Sequence, residues 1–257
     1  MDNEPNQSPM PAAAAPVISA AMPKPSWSTL ATGSFSSPDE RLFIHRVYGW
    51  MCGGLAISAI VAYLVAITPA VAEFILGNRI VFYALLIAEL CVVIFLAKKV
   101  HTMSSTKSSA VFLLYSALNG LTLSVIFFVY SSSSIVEVFL LTAGIFGVMS
   151  LYGFVTKTDL TTVGNLATML LLGLVVASLV NLFFMNDMAS LILAYVGVVT
   201  FVLLTAYDTQ KLKWMYQLGR AEGFDGENKE AINGALTLYL DFINLFLSLL
   251  RIFGKRR

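Results

Sequence analysis

Seven runs of about 20 apolar residues, the length that crosses a hydrocarbon core, fill most of this 257-residue chain, and nothing constrains its folding more. They lie approximately at 46–67, 80–97, 111–130, 135–155, 163–185, 189–207 and 231–253. In lipid every backbone N–H and C=O must be paired within the protein, so a spanning segment is a helix or a strand of a closed barrel. Barrel strands alternate apolar and polar residues, and that period-two pattern is absent here. Charged residues make up only 12% and hydrophobic ones 58%, whereas a soluble domain carries about a quarter charged residues. The expected fold class is an all-α polytopic membrane protein with seven transmembrane helices.

The formal net charge of +1 offers nucleic acid no bulk attraction, and the basic residues read as orientation signals. Lys24, Arg41 and Arg46 precede or open the first span, Lys98, Lys99 and Lys107 separate the second and third, and Lys211, Lys213, Arg220 and Lys229 separate the sixth and seventh. Only Arg79 lies between spans one and two, and the connections between three and four and between five and six hold no Lys or Arg. By the positive-inside rule the N-terminus and a loop at 211–229 are cytoplasmic. The seventh run conflicts with this pattern, because a full crossing carries Lys255, Arg256 and Arg257 outside. Crossing is the reading taken here over re-entry, since the earlier loops outweigh C-terminal charges.

Residues 1–38 are a different material, rich in Pro, Ala and Ser and without periodicity, and read as a disordered cytoplasmic tail. They lack the basic start and continuous apolar core of a signal peptide. Ser37, Pro38, Asp39 and Glu40 then resemble a helix start, opening either an amphipathic lead-in helix or a plain linker before the seven-helix domain, 39–257. Cys52 and Cys91 fall inside apolar runs and behave as small hydrophobes, with no disulfide or metal spacing. His45 and His101 sit at span edges as interfacial residues. Gly49 with Gly53, and Gly144 and Gly147 with Ser150 and Gly153, give the first and fourth spans small-residue faces suited to close helix packing.

The last run carries the chemistry. Thr237, Asp241, Asn244, Ser248 and Arg251 follow at spacings of four, three, four and three, so they share one helix face. An aspartate near the bilayer centre costs roughly 2.5–3.5 kcal/mol on insertion scales, and such a face meets water, an ion or a partner instead of lipid. Thr237, Asn244 and Ser248 are therefore read as lining a pathway around Asp241. Glu89 lies near the middle of the second span, and Asp208 at the inner end of the sixth. With about 1.5 Å per residue, Asp208, Asp241 and the basic Lys99 meet in the cytoplasmic half, while Glu89 and Arg251 come within reach of each other as an outer latch. Each also has a plain structural reading: a solvated interfacial Asp208, a snorkelling Lys99, a Glu89 that hydrogen-bonds the next helix, and an Asp241 that fixes helix packing.

The stretches 116–130 (SALNGLTLSVIFFVY), 142–160 (TAGIFGVMSLYGFVTKTDL), 205–213 (TAYDTQKLK) and 235–254 (ALTLYLDFINLFLSLLRIFG) closely resemble the bacterial branch of the Bax inhibitor-1 family, also called the transmembrane BAX inhibitor motif family. The resemblance runs from about Asp39 to the end and leaves the tail uncovered. It implies six helices around a central seventh, and a calcium leak sensitive to pH. It also implies a proton-sensing pair: Asp208 within Tyr207-Asp208-Thr209-Gln210, and Asp241 within Tyr239-Leu240-Asp241-Phe242. The family often has an arginine at the inner end of the second helix, where this chain offers Lys99, a point charge and not a fork.

The residues suit that role. Two close carboxylates in a partly dehydrated site cannot both ionise freely and titrate as a unit. Calcium takes about six to eight oxygens, which Asp208, Asp241, Asn244, Ser248 and water can offer transiently, and a leak needs weak binding. No enzyme activity and no resident cofactor are expected. Tyr207-Asp208 matches half of an intramembrane aspartyl protease, but Asp241 lacks the Gly-x-Gly approach and no Pro-Ala-Leu follows. A light-driven pump lacks its Schiff-base lysine in the seventh span. The remaining alternative is a regulator whose tail is grasped by a membrane protease or another membrane protein. The expected setting is a bacterial inner membrane.

Overall fold

The computed structural model describes residues 38–99, 102–184 and 186–257. The tail, but for Pro38, and His101 lie outside them. Helix α1 (Pro38–Ile67) begins with Asp39 and Glu40 in its first turn, where acids complement the helix dipole, and runs unbroken into the first span, so the lead-in is helical. Pro69 at the first position starts the short α2 (Pro69–Leu76). Then follow α3 (Arg79–Lys99), α4 (Ser105–Leu123), the single turn α5 (Ile126–Val129), α6 (Ser132–Val155), α7 (Thr161–Phe184), α8 (Asp187–Ala221) and α9 (Gly223–Phe253). Asn186 caps α8 by accepting from the Ala189 N–H. Among the described residues seven helices are long and apolar enough to cross a membrane, with α4 and α5 together forming the third. The protein is an all-α polytopic membrane protein.

The expected loop at 211–229 is not a loop. Helix α8 continues to Ala221, and α9 begins two residues later, after a turn in which Gly223 takes φ +80°, a conformation that favours glycine. The lysines there hide an amphipathic repeat: Leu212, Met215, Tyr216 and Gly219 are all buried. Leu212 packs against Gly234, and the Tyr216 ring lies 5.5 Å from Phe43. Burying Leu212 and Met215 contributes roughly 1.5–3 kcal/mol each, enough to keep the hairpin helical.

Lipid-facing and core-facing residues are both apolar, so the fold is sorted by enclosure instead of by polarity. Phe183 is 85% exposed, whereas Leu238, Tyr239 and Leu245 are fully enclosed. Helix α9 is the most enclosed of the seven. It packs chiefly against α8 and also against α1, α6 and α4, while α3 leans on α4 and α7 on α8. The small-residue faces act only in part. A Cβ on Gly49, Gly53, Gly144 or Gly147 would meet nothing, so these glycines are not in helix contacts. Close approach occurs instead at Gly54, against Phe112, at Gly120, where a Cβ would stand 2.7 Å from the Ser58 carbonyl oxygen, and at Gly153, against the Ala206 backbone.

The two ends of the bundle are fastened differently. At one end the α8–α9 turn is held to α1 and α4. Arg46 Nη1 donates to Asn228 Oδ1 at 3.1 Å and lies 3.8 Å from Glu227, and Asp225 Oδ1 accepts from the Ser105 N–H and hydroxyl. At the other end the segment after α9 pairs with the α5–α6 connection: Ser131 N–H donates to Lys255 O, Arg257 N–H donates to Val129 O, and Tyr130 bridges Arg256. Helix α9 therefore runs the full height of the bundle, about 46 Å at 1.5 Å per residue.

Two outcomes follow from this packing. Ser131→Cys and Arg257→Cys label from the same side of an intact membrane, and Gly223→Cys labels from the opposite side; shared labelling of all three would contradict the crossing. Gly120→Ala lowers thermal stability by about 1–3 kcal/mol through overpacking, while Gly49→Ala leaves the melting curve unchanged.

Candidate functional site

Asp208 and Asp241 meet where α8 crosses α9. They are 8% and 4% exposed, and their carboxyl groups are close enough to interact. Oδ2 of Asp241 is buried and receives no donor from the described residues. A buried carboxyl oxygen left in that state calls for a proton, a water or a cation. The nearest cation is Lys211, whose Nζ lies 3.9 Å from Asp208 Oδ1 one turn along the same helix. Lys99 does not take that place: it ends α3 exposed, and its carbonyl accepts from Met103 N–H and the Thr102 hydroxyl.

The other residues of the Tyr207-Asp208-Thr209-Gln210 run hold the aspartate in position. The Tyr207 ring fills the space beside Gly164 of α7. Thr209 joins Ser150 of α6 at 2.9 Å, and Ser150 in turn joins the Tyr48 hydroxyl of α1. Gln210 accepts from the Leu160 N–H and donates to Thr158 O, clamping the α6–α7 connection. Helices α1, α6 and α7 thus fix the backbone around Asp208.

Glu89 belongs to a second polar group, on the side of α9 facing α1, α3 and α4. The Thr122 hydroxyl donates to its Oε1 at 2.7 Å. Nearby, the enclosed Tyr239 hydroxyl donates to Asn119 Oδ1 at 3.0 Å and joins Ser58, which also bonds the Ser116 carbonyl. Tyr239, Asn119 and Ser58 were not singled out from the sequence; a tyrosine two residues before Asp241 and an asparagine inside an apolar run were the signals available. Glu89 and Arg251 form no ion pair. Glu89 sits at the level of Asn244 with its carboxyl already engaged by α4, and Arg251 lies seven residues further along α9, about 10 Å away along the axis.

The stripe is partly self-satisfied. Thr237, Asn244 and Ser248 each donate to the carbonyl four residues earlier, at 3.1, 2.8 and 2.8 Å. Beyond Asp241, two cavities flank the C-terminal half of α9. One of about 420 Å³ is lined by Glu89, Tyr115, Asn119, Thr122, Leu240 and Asn244. The other, of about 430 Å³, is lined by Tyr130, Ser178, Asn244, Ser248, Arg251 and Arg256. Asn244 and Leu247 belong to both walls. Neither cavity is lined by Asp208 or Asp241; they stop at Leu240 and Asn244, within a turn of the aspartate. No cluster of three or more metal-type ligands occurs among the described residues.

Comparison with known proteins gives a consistent result. A family model described as "Inhibitor of apoptosis-promoting Bax1" matches residues 40–257. The chain is 50% identical over 215 residues to the inner membrane protein YbhL of Escherichia coli (strain K12), covering 84% of this chain and 92% of that one. It is 44% identical over 218 residues to an uncharacterized protein of Deinococcus radiodurans, covering 84% and 91%. A third relative, from Borreliella burgdorferi and also uncharacterized, is 42% identical over 215 residues, covering 84% and 92%.

The Tyr239 group is framework and not site. Tyr239→Phe removes the hydroxyl shared by Ser58 and Asn119 and lowers stability by roughly 1 kcal/mol, read by thermal melting in detergent. An unchanged melting curve would take the Tyr239 hydroxyl out of the framework.

Proposed function

The chain belongs to the Bax inhibitor-1 family, and from that membership and the buried aspartate pair we propose that it is a pH-sensitive calcium leak of a bacterial inner membrane. The observation that carries this reading is Asp241: a carboxyl at the α8–α9 crossing, 4% exposed, whose Oδ2 has no donor among the described residues. A purely structural carboxylate would be capped by a neighbouring helix, as Glu89 is by Thr122. The inner-membrane setting follows the relative that carries that description.

In this reading the structure is the closed arrangement. The two cavities beside the C-terminal half of α9 stop within a turn of Asp241, and the pair with Lys211 stands between them and the α8–α9 hairpin. Protonation removes the charge that draws a divalent cation toward the crossing and keeps the two helices together; loss of the proton leaves two carboxylates repelling each other and separates them. Two carboxylates supply only part of the roughly six to eight oxygens calcium requires, and Asn244 and Ser248 have turned their donors onto their own helix. Water completes the shell, and an ion so held passes instead of staying. The rival reading, a regulator working through a membrane protease or other partner, rests on the tail outside the described residues.

Calcium flux through purified protein in liposomes, measured from about pH 5.5 to 8 across the range a coupled carboxyl pair can sense, tests the proposal. Flux falls on acidification in the parent. Asp208→Asn and Asp241→Asn each flatten the profile, and the double variant adds little, because the two groups act as one. An unchanged profile in both single variants removes the aspartate sensor, and flux that rises on acidification reverses the sign of the gate.

A further inference from the structure

Lys255, Arg256 and Arg257 stand at the end of the bundle remote from the Lys-rich hairpin, where the positive-inside rule disfavours them. They are nevertheless held firmly. Besides the backbone pairing with Val129, Tyr130 and Ser131, Lys255 N–H donates to Ser134 Oγ at 3.0 Å. This pairing fixes Arg256 over the 430 Å³ cavity, which Arg251, in the last turn of α9, also lines. Among the described residues neither guanidinium has a carboxylate within ion-pair distance, and no acidic residue lines the cavity. Arg251 alone would be explained by the negative end of the α9 dipole, but that leaves Arg256, beyond the helix, converging on the same space.

We propose that Arg251 and Arg256 form a binding site for a phosphate-type anion, either the head group of an outer-leaflet phospholipid or a free phosphate. Two guanidinium forks present paired N–H donors that match phosphate oxygens, and each contact is charge-assisted. Tyr130 and Ser178 add hydroxyls to the wall, and Val125, Ile126, Leu247 and Phe201 line the remainder with apolar surface on which an acyl chain can lie. Bound phosphate offsets the charge that the rule disfavours on this side, and ties α9 to the α5–α6 connection through a ligand as well as through the backbone. The site is independent of the calcium reading, since neither aspartate contributes to it.

The test titrates the full chain in neutral detergent with phosphatidylglycerol, with diacylglycerol as the phosphate-free lipid, and with inorganic phosphate, following bound ligand by native mass spectrometry. Saturable binding of phosphatidylglycerol but not diacylglycerol is expected, with Arg251→Gln and Arg256→Gln each weakening it roughly tenfold, the loss of one charge-assisted contact. Arg79→Gln, outside the cavity, leaves it unchanged. Arginine-dependent binding of inorganic phosphate alone assigns the site to the free anion. Affinity unchanged in the double Gln variant, or weakened equally by Arg79→Gln, overturns the proposal. Should the Gln variants fail to fold, Arg251→Lys with Arg256→Lys keeps both charges but cannot grip two oxygens per side chain; unchanged affinity in that protein overturns it as well.

Discussion

One carboxyl oxygen without a donor sets the terms for the rest of this bundle. Asp241 is enclosed by Leu238, Phe242 and Leu245 on its own helix and by α8 across from it. Removing a polar group from water without a partner costs several kcal/mol in an apolar medium, and the protein opposes it with a second carboxyl instead of a donor. Holding Asp208 in that position takes three other helices: Thr209 reaches Ser150 and, through it, Tyr48, Gln210 grips the α6–α7 connection, and Tyr207 fills the hollow at Gly164. The framework around the site is polar and satisfied, and the site itself is polar and unsatisfied.

The second polar group shows the same chemistry settled the other way. Glu89 is also buried, yet Thr122 meets it, and Asn119, Tyr239 and Ser58 close a chain of hydrogen bonds around it. Two faces of α9 therefore differ, one closed by hydrogen bonds and one left with an unpartnered carboxyl oxygen, only two residues apart at Tyr239 and Asp241.

Much of this was legible in the residues, and the misses have physical causes. Spans are long and apolar, so their number and type could be read directly, and the two aspartates stood out because a carboxylate inside such a run is costly. The hairpin at 211–229 was obscured because its lysines mask the spacing of Leu212, Met215, Tyr216 and Gly219. Lys99 was chosen by depth, whereas Lys211, three residues from Asp208 on the same helix, had the stronger local claim. Depth likewise suggested an Arg251 contact for Glu89 but could not show that Thr122 already held it. The glycine pattern gave spacing and not direction: Gly54, beside Gly53, faces the neighbouring helix, and Gly49 faces away.

The most enclosed helix is also the one that follows all the others in the chain. Helices α1, α4, α6 and α8 have their common partner in α9, while α1 also packs on α4, and α6 and α7 on α8. Until residues 223–253 are made, these groups can pair among themselves, but Asn119 and Asp208 lack the Tyr239 and Asp241 they meet in the finished bundle. Helix α9 joins the packed groups into a single object by entering between them. A truncation within α9 leaves an inserted chain that quality-control proteases meet as an unfinished bundle, not a slightly weakened one.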